Sequence, residues 1–473
     1  MVTLDGKDQV VLTHRSGEQQ EAMRHVTQGR HRVLIRCEGS AALESFSVRK
    51  IPDLLFYSCL DGAPGLIEHS PYDQQLLETA IRKNVNHLVV HADKPLAPAV
   101  AQAWTRKGGR WIGGCGIPWG DAQQSYDYWT KRLKDNPSLN GLIADEFCPR
   151  ARIVGGAPRF FPSQYRDCTR ALQRIRSEDA FKQKQFVAYI GDWHRYIWEE
   201  APETSQFIRG LMDAGYRSSW ERYFREQPNE GLAEKYLKWN LTQPMQAWRE
   251  EQPGVERHLI ICLCLTTLPG HNLNVFPHVD YKVWMEMQVR RLATDPAFVD
   301  LAGLMWWGLG LSDEETVRWA TRLMRHYAIE GKTERLSADP YELTHLKNPD
   351  FDDGTTGWTV QPAEGASIGV RSDLGFGNRV EGRVGVTAGN HVLWMKRSAE
   401  RANRISQRLQ GLKRGRLYSV KVFAAGGVGG DDQTSEAAAI RVDVQGVQEM
   451  PGWKFRHVYS RPGGVRLNYH WLV

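Results

Sequence analysis

The chain has 473 residues, 41% hydrophobic and 25% charged, and its formal net charge of +6 is spread along its length. That length exceeds one simple core and predicts two or three domains, and so small and dispersed a charge argues against nucleic acid as the partner. No apolar run reaches membrane-spanning length, and the cysteines at 37, 59, 115, 148, 168, 262 and 264 form no CxxC pair and no Cys/His zinc spacing, so no disulfide framework, metal or cofactor is signalled.

The 17 Trp and 16 Tyr exceed what core packing usually requires. Trp is a flat apolar platform with a polar edge, and sugars are ligands that suit it. Met1 leads straight into polar VTLDGKDQ with no signal-like apolar core. The expectation is a secreted or periplasmic chain with its signal removed, or a cytoplasmic one.

Residues 1–52 contain VVLTHR, HRVLIRC and SFSVRKI, short Val- and Ile-rich runs with polar alternation. They predict antiparallel strands, a partial β-sandwich packed on the next domain.

From Asp53 the pattern becomes strand then helix and repeats to residue 335. The predicted strands are Leu54–Leu60, His87–His91, Trp111–Gly116, Gly141–Glu146, Phe186–Asp192, Tyr216–Glu221, His258–Leu265 and Ala302–Gly308. Helix-like stretches lie between them, from YDQQLLETAIRK to YKVWMEMQVRRLA, and Ser312 with Glu315 reads as a capping box opening the last helix. Eight alternations over this length predict a (β/α)8 barrel. An open doubly wound sheet would carry a Gly-rich phosphate turn, and neither GxGxxG nor GxxxxGK[ST] occurs at a strand-to-helix junction.

After the last helix ERLSADPYELTHL reads as a linker, and residues 336–473 continue with β-like runs between Gly- and Asp-rich turns, which predicts a β-sandwich. Asn348-Pro349-Asp350-Phe351 followed by Gly357-Trp358 resembles the opening strand of the jelly-roll, carbohydrate-binding-module-like domains that accompany many carbohydrate-active enzymes. The resemblance spans about a dozen residues and implies a bracing module ahead of a sugar-binding one.

Strand C-termini converge on one mouth of a parallel barrel. Read in order they bring Cys59 and Asp61, His91 and Asp93, Trp119 and Asp121, Asp145 and Glu146, Asp192 with Trp193, Glu221, Thr266 with Thr267, and Trp306 with Trp307. Acids on several strands with Trp on the loops resemble the TIM-barrel glycoside hydrolases. Acetal cleavage needs a proton on the leaving oxygen and a nucleophile or activated water at the anomeric carbon, which two carboxyls supply.

The assignment is Glu146 as general acid/base and Glu221 as nucleophile or base. A second has Asp145 as nucleophile and Glu221 as acid. A third is the adjacent Asp-Glu pair of substrate-assisted hexosaminidases, here without the preceding His-x-Gly-Gly. The largest barrel clan carries Asn-Glu after its fourth strand and Glu after its seventh; this chain has Ala144-Asp145-Glu146 and an acid-free ICLCLTTLPG.

Substrate-binding expectations fall on Asp192, His91, His271 and the platforms Trp119, Trp193, Trp220 and Trp307, with Trp198 beside them. The partner is an oligo- or polysaccharide, with no nucleic acid and no membrane. A non-catalytic polysaccharide-binding or scaffolding barrel is the alternative.

Overall fold

The computed structural model describes residues 1–5, 10–12, 20–26, 29–37, 39, 43–57, 80–93, 98–118, 120–145, 147, 152–154, 157–159, 162–191, 202–267, 272–308, 312, 314–374, 377, 389–416, 418–425, 441–448, 455–460 and 466–472. At the N-terminus, β1 (Val2–Leu4), β2 (Val10–Leu12) and β3 (Val33–Ile35) form a three-stranded antiparallel sheet with β1 central. Two of the expected strands are there. SFSVRKI forms none, and the third strand is instead β1, at the centre of the sheet, which the polar opening residues conceal.

The centre of the molecule is a closed, all-parallel eight-stranded barrel. Its first half is β4 (Asp53–Tyr57), β5 (His87–His91), β6 (Arg110–Cys115) and β7 (Gly141–Ala144). A short antiparallel hairpin, β8 (Arg152–Val154) and β9 (Ala157–Arg159), follows β7. The second half is β10 (Gln185–Ile190), β11 (Arg217–Arg222), β12 (Leu259–Cys264) and β13 (Gly303–Trp307), and β13 closes the ring on β4.

All eight predicted strands are found in order. They were legible because a strand covered on both faces reads as a continuous apolar run.

Between the strands run helices such as Ala122–Asp135, Pro202–Asp213 and Tyr281–Thr294. Their starts follow from local chemistry. Asp121 and Gln124 make a reciprocal capping box, and Asn229 and Asp280 cap two later helices with their side-chain oxygens. Asp121 is thus accounted for as a cap. The Ser312–Glu315 pair is used differently from the expected box: Ser312 donates to the carbonyls of Leu265 and Gly308, and Glu315 pairs with Lys282 at 2.7 Å.

Alternation along each strand divides the barrel into two apolar shells. Leu55, Val89, Ile112, Ile143, Val187, Tyr189, Ile260, Cys262 and Met305 fill the lumen. Their chain neighbours, among them Leu54, Leu88, Trp111, Leu142, Phe186, Trp220, Ile261 and Trp306, face the helices. Trp104, Trp111, Trp129, Trp220, Trp248, Trp284 and Trp306 are all fully buried in that outer shell. Seven of the 17 tryptophans are therefore packing residues, and the inference from aromatic count to sugar platforms is weaker than composition suggested.

The segment after the last barrel helix, read as a linker, is sewn to the barrel. Glu286, 1% exposed, accepts hydrogen bonds from the Tyr327 hydroxyl and from the backbone N–H groups of Leu336 and Ser337. Tyr341 is buried; its hydroxyl donates to the Gln227 carbonyl, and a bridge joins Val279 to Glu342.

Beyond it, β14 (Thr359–Gln361) pairs with β17 (Arg404–Ser406), and β15 (Ile368–Ser372) pairs with β16 (His391–Met395). β18 (Val420–Ala425), β19 (Phe455–Ser460) and β20 (Arg466–Leu472) form a third antiparallel sheet with β20 central. Among the described residues these are three separate small sheets. The strand expected at AIRVDVQG is absent from residues 441–446.

The Asn-Pro-Asp-Phe motif builds a turn. Asn348 donates to the carbonyls of Gly354 and Thr356 while its own carbonyl takes the Trp358 indole N–H at 3.0 Å, and Phe351 packs on Trp358 at 5.3 Å.

Candidate functional site at the barrel mouth

The lumen parity extends past the strand ends and decides which side chains meet there. On β7, Ile143 faces inward, so Asp145 shares its side; on β11, Ser219, Glu221 and Tyr223 follow Arg217 inward. His91 ends β5 on the same side and is exposed, as is Asp145.

Aromatic rings line the wall beneath these groups. Tyr57 lies 5.9 Å from Tyr189, the Tyr189 and Tyr223 hydroxyls are hydrogen-bonded, and Tyr223 stacks on Trp307 at 5.0 Å and 24°. Tyr57 reaches across because Gly114 leaves it room: a Cβ there would sit 3.1 Å from the Tyr57 hydroxyl.

The electrostatics show that both carboxylates act on this ring. Burial, and then the negative charge of Asp145, holds the Tyr57 phenol well above its ordinary pKa. Burial, then Cys262 and then Glu221 do the same to Tyr223, and Glu221 also contributes at Tyr189. These phenols stay neutral and keep their protons to donate.

The thiols are equally inert. Cys262 lies 3.2 Å from the Tyr189 hydroxyl and is pushed far up by burial, and burial raises Cys264 to about 12. Neither is ionised near neutrality.

Of the residues expected here, Asp145, Glu221, His91 and Trp307 are brought to the mouth. Trp220 is not, and its assignment as a sugar platform is corrected: Glu221 takes the inward position, so its neighbour must point out. Trp220 is fully buried against Trp248 at 5.5 Å with the Arg222 guanidinium 4.6 Å from its ring. Trp306 goes outward by the same rule.

Asp93 binds Arg132 at 2.9 Å. Glu146, Asp192, Trp119, Trp193, Trp198 and His271 lie outside the described residues. No group of three or more metal-binding side chains occurs among the described residues.

Sequence reasoning missed Tyr57, Tyr189 and Tyr223. The signal was available in the parity they share with Leu55, Val187 and Glu221.

Next to this ring, Tyr223, Arg225, Glu226, Gln227, Pro228, Tyr236, Val275 and Phe276 line a cavity of about 390 Å³. Glu226 is buried in its wall and is held by the Asn274 amide and the Phe276 N–H.

No protein-family model matches the chain, and no curated protein matches it. Among solved structures it is similar to a chitinase from Chromobacterium violaceum, at 11% identity and TM-score 0.38, over 58% of this chain and 98% of that one. It is also similar to a class V chitinase from Nicotiana tobaccum in complex with NAG4, at 10% identity and TM-score 0.36, over 58% and 99% of the two chains. A third is a psychrophilic glycoside hydrolase family 10 endo-beta-1,4-xylanase, at 8% identity and TM-score 0.36, over 57% and 96%. Likenesses this distant carry no residue assignments.

Proposed function

We propose that this chain is a glycoside hydrolase that cleaves an oligo- or polysaccharide at the barrel mouth by a two-carboxylate mechanism. The observation that supports the reading is the lumen-side placement of Asp145 and Glu221, at the ends of separate strands, beside neutral tyrosines and Trp307. Carboxyls on two sides of a glycosidic bond supply the proton and the nucleophile or base, and aromatic faces with phenolic donors hold the ring between them.

In the proposed roles Glu146 is the acid/base and Glu221 the nucleophile or base. Asp145 as nucleophile with Glu221 as acid is the second assignment, and the lumen-side register of Asp145 favours it. His91, Asp192 and His271 bind hydroxyls; Trp119, Trp193 and Trp307 offer stacking faces. The C-terminal region is proposed to be a jelly-roll sandwich that braces the barrel.

The test is a screen of polysaccharides and aryl glycosides, followed by Glu146→Gln, Asp145→Asn and Glu221→Gln on any substrate found. A pair of these variants losing turnover while still binding sugar supports the reading and identifies the acids. Binding without turnover across the whole panel would instead make the barrel a non-catalytic polysaccharide-binding protein.

A further inference from the structure

The opposite end of the barrel holds a second feature that the mouth chemistry does not use. Arg110 opens β6, Gln185 opens β10 and Arg217 opens β11, so all three lie at the N-terminal base. With His25, Arg176, Gln183 and Lys184 they line a cavity of about 130 Å³. That is some ten times the roughly 10–15 Å³ that one water requires, and far too little for a nucleotide.

Four permanent or near-permanent cations surround this space, and one carboxylate, Asp53, stands near them. Asp53 lies 3.5 Å from the Arg217 guanidinium and 3.9 Å from His87. His87 adds no positive charge, because burial lowers its pKa to about 4.

Lys184 donates to the carbonyls of Pro137 and Leu139, and Arg176 donates to the Lys182 carbonyl. The Arg110 guanidinium makes no hydrogen bond or ion pair with any described residue. A guanidinium cannot shed its proton, so partial burial beside Arg217 is a cost that Asp53 offsets in part and a further anion would relieve. Burial lowers the Arg110 pKa, with Asp53 opposing and Arg217 adding to the shift.

We propose that this base cavity is a binding site for one small inorganic oxyanion, phosphate or sulfate, held by Arg110 and Arg217 with Arg176 and the Gln183 and Gln185 amides at its rim. Guanidinium forks match such oxyanions with paired hydrogen bonds, and neutral amides complete the shell without adding charge. Because the site lies at the base, occupancy ties the starts of β6, β10 and β11 together and acts on stability rather than on the chemistry at the mouth.

The experiment titrates the intact protein with inorganic phosphate, sulfate and chloride at matched ionic strength and pH, reading the melting temperature and, by equilibrium dialysis, bound phosphate. A saturable rise with phosphate and sulfate, absent with chloride, and close to one phosphate per chain is expected. Arg110→Gln should weaken phosphate binding at least about tenfold. It should also melt no lower than the parent in anion-free buffer.

Arg176→Gln, at an exposed position, should weaken binding severalfold with the fold intact. The proposal is overturned if phosphate does no more than chloride, or if both variants respond like the parent. It is equally overturned if Arg110→Gln melts well below the parent without anion, because the guanidinium would then already be satisfied by the protein.

Discussion

Trp220 separates packing from binding in one measurement. It is fully buried in the outer shell, with the Trp248 ring tilted against it at 5.5 Å, and its face carries the guanidinium of Arg222, itself only 4% exposed. Truncating a buried Trp to Ala costs about 3–5 kcal/mol in lost transfer and cavity formation. Stripping a desolvated cation of its ring adds about 1–2 kcal/mol.

The total of about 4–7 kcal/mol corresponds to a fall of roughly 10–25 °C in a barrel of this size. Trp307, half-buried at the mouth and covered on one side by Tyr223, should cost only about 1–2 kcal/mol when changed to Ala. Thermal and urea unfolding of Trp220→Ala and Trp307→Ala, followed by far-UV circular dichroism, compares the two. If Trp220→Ala melted within about 2 °C of the parent, the division of the barrel into lumen and outer shells by strand parity would be wrong.

Other consequences are as direct. Glu221→Gln should reduce turnover by roughly 10² to 10⁴ on glycosides with poor leaving groups while leaving the melting temperature close to the parent's; wild-type rates would remove Glu221 from the mechanism. Cys264 is raised from its ordinary 9.0 to about 12 when folded, so the unfolded chain loses its proton first as pH rises. That contribution is intact below about pH 9 and is lost as pH climbs towards about 12, and Cys264→Ala should flatten this part of a stability–pH curve. His87 has the opposite sign: its folded pKa of about 4 lies below the ordinary 6.5, so its contribution is present above pH 6.5 and fades as pH falls to about 4. His87→Gln should shallow the acid limb measured by urea unfolding over that window. Gly114→Ala places a methyl 3.1 Å from the Tyr57 hydroxyl and should weaken sugar binding more than it lowers the melting temperature, as isothermal titration against the screened substrate would show.

The barrel was legible in the sequence because each strand is apolar on both sides, which fixes its position to within a residue or two. The same property hides which side is which. In Leu259–Cys264 nothing polar marks the inward residues, so Cys262 and Cys264 had no signature. In Arg217–Arg222 the charges fall on both faces, Arg217 and Glu221 inward and Arg222 outward over Trp220, so residue type alone misplaces Trp220 and only its position next to Glu221 corrects it.

The N-terminal sheet shows the converse. Val2–Leu4 is too short to declare itself and forms only because β2 and β3 flank it. Asn348 to Trp358 was recognisable as a motif, and its hydrogen bonds show why: the asparagine and the indole N–H hold one turn, whatever the rest of the region does.

The hydrogen bonds that Glu286 accepts from Leu336 and Ser337 move the place where this chain can be cut. A truncation at residue 335, where composition changes, would strip those two N–H donors from a carboxylate that is 1% exposed, and would remove Tyr341 from its seat against Gln227. A barrel fragment ending there leaves the buried Glu286 carboxylate with the Tyr327 hydroxyl alone of its three donors, and a vacated pocket. One ending after Leu343, whose N–H donates to the His278 carbonyl, keeps both closed. For protease mapping or the design of a shorter expression product, the seam of the barrel half therefore lies some eight residues beyond residue 335, inside the segment whose Pro and Asp residues read as a linker.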